Sequence, residues 1–237
     1  MTTDASTTAP PPDADADAVD RAAPPRPPVV SIAVSAVLVL LIGLGVAWLR
    51  GRDDPSAIDE LGSELPVPID APALTLFDTD GAPIALPDLF DDHVTLVYLG
   101  YLNCPDACPI TMDVLSRALA TRTAETRQPV QVVFVTTDPA RDAPDEIRAY
   151  LDRFDASFIG LTAASDAELA ALQDALLVPG AVLEPADEDG NYLVGHATSV
   201  FVFDDGVAHQ RYPFGTRQSD WERIIQEHAD ALGDAAR

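Results

Sequence analysis

The chain has 237 residues, enough for one ordinary domain with extensions, and carries a formal net charge of −25 with every basic side chain an arginine. That balance excludes the basic footprint needed to bind nucleic-acid phosphates and disfavours docking on anionic lipid headgroups. Acidity alone does not make a metal protein, since a solvated surface accounts for it equally well.

Residues 1–28 are mainly Ala, Pro, Thr and Asp with almost no large apolar side chain, so they cannot offset their ordering entropy and read as a disordered tail. Val29 to Leu49 is an uncharged, mostly apolar run of 21 residues. As a helix it is long enough to cross a hydrocarbon core about 30 Å thick. Ala47-Trp48-Leu49-Arg50 offers no small-residue cleavage site, so residues 29–49 read as an uncleaved transmembrane anchor. Arg21 and Arg26 on one side balance Arg50 and Arg52 on the other, which leaves the orientation undecided by charge. Residues 50–68, with Asp53-Asp54-Pro55 and Pro66-Val67-Pro68, read as a linker, and residues 69–237 as one compact α/β domain.

Within that domain, Leu74–Phe77 and Pro83–Leu86 flank Asp78-Thr79-Asp80-Gly81 as a short hairpin. Val94–Gly100 and Val130–Thr136 are nearly continuous apolar runs, the pattern of strands covered on both faces. Between them, Met112, Leu115 and Leu119 are spaced for one buried helical stripe. A second helix carries Ile147, Tyr150, Leu151 and Phe154, with Pro144 near its start and Asp142 as a candidate N-cap. Phe158–Leu161 reads as a short strand, followed by a capping box of Ser165 and Glu168. Thr198–Phe203 and Val207–Tyr212 form a hairpin across Asp204-Asp205-Gly206, and a last helix is expected to open with a box of Ser219 and Glu222 around Trp221. The order indicates a mixed sheet with helices on both faces.

Cys104 and Cys108, the only two cysteines, fall where the first buried strand gives way to a helix, in Asn103-Cys104-Pro105-Asp106-Ala107-Cys108-Pro109. Pro109 suits a first helical turn, which sets Cys108 at the helix N-terminus, where unpaired N–H groups and the dipole favour a thiolate. Asp106 opposes that by like charge. A disulfide closing so short a loop gains little. A redox dithiol suits the helix start. Two thiolates are too few for a closed zinc site, whereas two thiolates with one imidazole suit a soft metal such as Cu(I). Of the four histidines, His93 reads as a loop residue, His209 as solvent-facing and His228 as the edge of a packed helix face. His196, in Leu193-Val194-Gly195-His196-Ala197 just before a strand, is the one whose loop can approach Cys108.

Gly100–Pro109 resembles the SCO/SenC signature, in which a Gly-Tyr pair leads into Cys-Pro-Asp-x-Cys-Pro. Asp138-Pro139-Ala140-Arg141-Asp142 resembles that family's second motif, and Gly195–Ser199 its late histidine. The resemblance covers roughly residues 69–232 and implies a thioredoxin-like fold in a membrane-tethered domain outside the cytoplasm. It also implies a copper chaperone, not an enzyme, that supplies the Cu(A) centre of cytochrome c oxidase subunit II. Cys104, Cys108 and His196 would be the ligands for Cu(I) or Cu(II), with Asp106 and Asp138 as supporting residues. A rival reading makes Cys104 and Cys108 a thiol–disulfide reductase pair that works with thiol reductants to keep the oxidase's copper-ligating cysteines reduced. Two positions depart from the family pattern. Asn103 stands where His is frequent, and Gly195 stands where an Asp often precedes the histidine, which removes a carboxylate that would orient the imidazole.

Overall fold

The computed structural model describes residues 62–122, 129–188 and 190–235. The tail at 1–28, the apolar run at 29–49 and residues 50–61 of the expected linker lie outside the described residues. Among those described, no helix is long and apolar enough to cross a membrane.

The centre of the fold is strand β4 (Val94–Gly100), every residue of which is buried. It pairs in parallel with β5 (Val130–Thr136), from Val94 opposite Val130 to Gly100 opposite Thr136. On its other side it pairs antiparallel with β9 (Val200–Asp204), from Val94 opposite Asp204 to Tyr98 opposite Val200. Helix α2 (Ala107–Ala120) connects β4 to β5, and α3 (Pro144–Leu151) connects β5 to β6 (Ile159–Thr162). The sheet is completed by β1 (Ser63–Asp70), β2 (Thr75–Asp78), β3 (Pro83–Ala85) and β10 (Val207–Tyr212), in the order β1-β10-β9-β4-β5-β6-β2-β3. A separate two-stranded ribbon, β7 (Val182–Leu183) with β8 (Val194–Gly195), leads into His196.

Alternation along β4 divides the core between the two sheet faces. Leu96 and Tyr98 join Met112, Leu115, Ile147, Trp221 and Ile224 beneath α2, α3 and α5 (Gln218–Ala235). Val97 and Leu99 join Leu76, Phe90, Leu169 and Phe203 beneath α1 (Leu86–Phe90) and α4 (Asp166–Ala175). Each such fully buried side chain is worth about 1.5–3 kcal/mol of transfer free energy, so the continuous apolar strands fix the layer order. The stripe Cys108, Met112, Leu115 and Leu119 is buried at i, i+4, i+7 and i+11, which presses α2 onto the first face.

Three expectations need correction. The sheet begins at Ser63, inside the stretch read as linker. Pro66 and Pro68 suggested a linker, but β1 is an edge strand where a missing N–H costs no ladder bond. Its register breaks between Glu64 (opposite Gln210) and Ile69 (opposite Ala208), and both prolines fall in that bulge. Asp142 is not the N-cap of α3; that position is Ala143, whose N–H meets Glu146 Oε2 at 3.3 Å. Ser219 lies inside α5 and not ahead of it, while buried Asp220 holds Arg217 and Arg223 at 2.8 and 2.9 Å. These pairings hold the Asp220 carboxyl below its usual range, chiefly through the hydrogen bond from Arg217. The Ser165 cap is as expected, its hydroxyl accepting from Glu168 N at 3.3 Å.

Candidate metal centre

Strand β4 ends at Gly100, and the chain turns through Tyr101–Asp106 into α2. A side chain could not stand at residue 100. A Cβ there would lie 2.8 Å from the Phe134 and Tyr98 rings and 2.9 Å from Cys108 Sγ. Glycine therefore lets the first turn of α2 press its cysteine sulfur against the strand end. Asp106 caps that helix, its carboxylate accepting from Ala107 N at 2.6 Å.

The sulfurs of Cys104 and Cys108 and a ring nitrogen of His196 all lie within 4.8 Å of one another. Neither cysteine is in a disulfide. Cys108 is fully buried and Cys104 partly so. Cys108 Sγ is 3.6 Å from His196 Nε2 and 3.6 Å from the Tyr98 hydroxyl. Cys108 N–H donates to Cys104 Sγ at 3.4 Å. His196 Nδ1 lies 2.8 Å from the Ala197 carbonyl oxygen, which can only accept, so Nδ1 carries a proton and Nε2 is the nitrogen turned toward the sulfurs. A backbone carbonyl thus orients the imidazole, the task a carboxylate at position 195 would otherwise perform. Tyr98 and Tyr101 stand edge-on to the imidazole, with centroids at 6.1 and 5.5 Å.

The two thiols are electrostatically unequal, and the acidic one is not the one that helix position suggests. Hydrogen bonding from the Cys108 thiol lowers Cys104 from its ordinary 9.0 to about 5, helped by the backbone N–H groups of Cys108 and Asp106 and by His196, against some desolvation. Cys108 is pushed well up, first by its bond to Cys104 and then by burial. At neutral pH the pair shares one proton, held on Cys108, and the accessible Cys104 is the thiolate. Asp106 opposes this little, because its carboxylate is turned to the helix cap while its N–H supports Cys104.

The other candidates separate cleanly. Asp138 is 3 % exposed and bonds elsewhere: its Oδ1 accepts from the Tyr192 hydroxyl at 3.0 Å and its Oδ2 pairs with Arg141 Nη2 at 2.8 Å. Buried Asp142 accepts from Thr136 Oγ1 at 2.6 Å and from Leu102 N at 3.0 Å, tying the cysteine loop to the end of β5. Burial raises its carboxyl above the ordinary range. His209 is exposed, and His93 Nδ1 sits 2.6 Å from Asp91 O in a loop. His228 pins α5 to β9 through Asp204, at 2.6 Å. Sequence reasoning missed Tyr98, Tyr101, Tyr192 and the supporting role of Asp142. Tyr101 was in plain view in the Gly-Tyr pair, but nothing local to Tyr192 marks it.

The SCO1/SenC profile matches residues 70–230. The chain belongs to the SCO1/SenC family. It is 34 % identical to a candidate copper-binding protein of Stutzerimonas stutzeri over 163 residues, covering 67 % of this chain and 76 % of that one. A mitochondrial SCO2 homologue from Mus musculus is 29 % identical over 189 residues, covering 78 % and 72 %. Among solved structures, yeast Sco1 with copper bound superposes with a TM-score of 0.60 at 26 % identity, covering 71 % of this chain and 90 % of that one. Bradyrhizobium japonicum ScoI with copper bound gives 0.58 at 25 % identity, covering 68 % and 98 %. The mixed sheet with helices on both faces is thus the thioredoxin-like fold of the Sco structures.

Proposed function

We propose that this SCO1/SenC domain binds one copper ion through Cys104 Sγ, Cys108 Sγ and His196 Nε2 and passes it to the Cu(A) site of cytochrome c oxidase subunit II. The observation that carries the reading is the convergence of two soft sulfurs and one imidazole nitrogen within 4.8 Å. Copper delivery in oxidase assembly is the family's role, and two solved relatives hold copper. Loading requires both thiols reduced. Cys104 is already a thiolate, so copper displaces about one proton, from Cys108, for each ion bound near neutral pH. Three ligands leave a coordination position open for a partner's ligand, which lets transfer proceed by exchange instead of prior release. Residues 29–49 would tether the domain on the extracytoplasmic face and raise its local concentration near a membrane-bound oxidase.

Anaerobic titration of the reduced full chain in detergent with Cu(I), and separately with Cu(II), tests this reading. One copper per chain, lost in Cys104→Ser and altered in His196→Ala, is the expected result; binding indifferent to both variants would sink it.

One observation favours a second activity of the same pair. An accessible thiolate at Cys104 over a protonated, buried Cys108 is the division of labour of an attacking and a resolving thiol. Cys104 would attack a client disulfide, releasing one client thiolate and forming a mixed disulfide. Cys108, once deprotonated, would displace the second client thiolate and leave a Cys104–Cys108 disulfide. Two electrons pass to the client, and an external thiol reductant must restore the pair. Reduction of a Cu(A)-type disulfide that persists in His196→Ala would support this activity, and failure of the reduced wild-type protein to reduce it would count against it.

A further inference from the structure

Arg141 belongs to the Asp138–Asp142 motif, yet it touches none of the three candidate ligands. Its guanidinium instead joins three segments. Nη2 lies 2.8 Å from Asp138 Oδ2 at the end of β5, an ion pair and not an aligned hydrogen bond. Nη1 donates to the Tyr192 carbonyl at 3.1 Å. The guanidinium carbon stacks 3.8 Å from the Tyr192 ring centre and 5.7 Å from that of Tyr101 in the cysteine loop. Tyr192 returns a hydroxyl bond to Asp138 at 3.0 Å, closing the circuit, and Tyr101 stands edge-on to His196.

The excursion that carries His196 needs such an anchor. Its backbone bonds run largely within itself: β7 to β8, Glu184 N to Leu193 O and Asp187 N to Asn191 O. Among its described residues, Tyr192 ties it to the rest of the site through Arg141 and Asp138, and Val194 is buried in the core cluster that also holds Tyr101 and Cys108. Asp138 is held rigidly, its N–H donating to Thr136 Oγ1 at 3.0 Å and its carbonyl accepting from Arg141 and Asp142 N at 3.0 and 2.9 Å. A planar cation can stack between two rings and pair with a carboxylate at once, which a lysine ammonium cannot do.

We propose that Arg141 is a positioning residue for His196, a latch that holds the hairpin against the cysteine loop and so sets how long the third ligand stays on copper. The latch rests on the three-ligand reading above. It also gives Asp138 a function, since that carboxylate fixes the guanidinium and reaches the imidazole only through Arg141 and Tyr101. Clefts of about 520 and 470 Å³ flank Arg141, with Asn103 lining both, so the latch lies close to the surface from two sides.

The test uses the full chain in detergent, loaded with copper, in wild type, Arg141→Lys, His196→Ala and the double variant. The readouts are the imidazole-nitrogen hyperfine coupling of the Cu(II) form and the rate of Cu(I) transfer to bathocuproine disulfonate. Arg141→Lys should still bind one copper through its thiolates, lose or weaken the nitrogen coupling, and release Cu(I) about 10–100-fold faster. In the His196→Ala background the same substitution should add almost nothing, because its target is already absent. Should Arg141→Lys fold poorly, Tyr192→Phe removes one hydroxyl bond only and should speed release about 5–10-fold. Wild-type coupling and release rate in Arg141→Lys, or an acceleration undiminished without His196, would overturn the latch. A wild-type protein lacking any imidazole coupling would instead overturn the three-ligand reading itself.

Discussion

The two ends of strand β4 each gather three potential metal ligands, and they differ in everything except that count. At the C-terminal end stand Cys104, Cys108 and His196; at the other, Asp91, Asp92 and Asp205 also bring their ligand atoms within 4.8 Å of one another. The three carboxylates are exposed, hard and like-charged, on turns where Asp92 and Asp205 take positive φ of 57° and 47°. Asp205 Oδ1 accepts from Asp92 N at 3.1 Å, so part of the cluster serves the turn itself. The sulfur and nitrogen donors, by contrast, rest on a buried strand end and a capped helix, and each is oriented by a further contact: Tyr98 on Cys108, Cys108 N–H on Cys104, Ala197 O on His196. Convergence of ligands is common on an acidic surface; a framework that fixes protonation and direction is what distinguishes a site.

The comparison breaks most decisively at the cysteines. Cys104→Ser or Cys108→Ser should abolish stoichiometric copper binding by the reduced protein, as read by equilibrium competition with a chelator. Next in size is the pH dependence of the reduced, metal-free protein. A group whose folded pKa is depressed keeps its charge until pH falls through that lower value, so Cys104 should alkylate with iodoacetamide at a nearly constant rate from pH 9 to 6 and slow only near pH 5. A thiol titrating near 8.5 would be about 1 % ionised at pH 6.5, so an ordinary profile would refute the assignment of the thiolate to Cys104.

Gly100→Ala tests the close approach beneath Cys108. Its Cβ must displace a ring or the sulfur, which should cost about 1–3 kcal/mol and lower Tm by roughly 2–10 °C, with a changed sulfur-to-copper band. An unchanged Tm and spectrum would show that the first turn of α2 yields easily. Asp142→Ala should cost about 1–3 kcal/mol in denaturant unfolding, because Leu102 N–H and the Thr136 hydroxyl lose their shared acceptor. At the opposite end, Asp92→Asn should leave copper stoichiometry untouched and shift stability by less than about 0.5 kcal/mol. Copper lost in that variant would erase the distinction between the two clusters.

Much of this was legible in the chain. The bounds of β4 and β5 coincide with their apolar runs, because a strand covered on both faces has to be apolar at every position. Cys104, Cys108 and His196 could be paired through their motifs. What local pattern misjudged were positions whose partners lie far along the chain. Pro66 and Pro68 read as linker because the open edge of β1 is a property of the sheet, and Asp142 read as a helix cap because its acceptor role depends on Leu102, 40 residues earlier.

By itself the sequence determined the soft donors on offer, the buried strands and the family, since these follow from side-chain type, periodicity and motif order. Tertiary structure alone decided that His196 meets Cys108, 88 positions earlier, and that Arg141 meets Tyr192, 51 positions later. Each depends on groups separated by tens of residues and brought within a few ångströms, where a hydrogen bond or a desolvated charge outweighs any local preference.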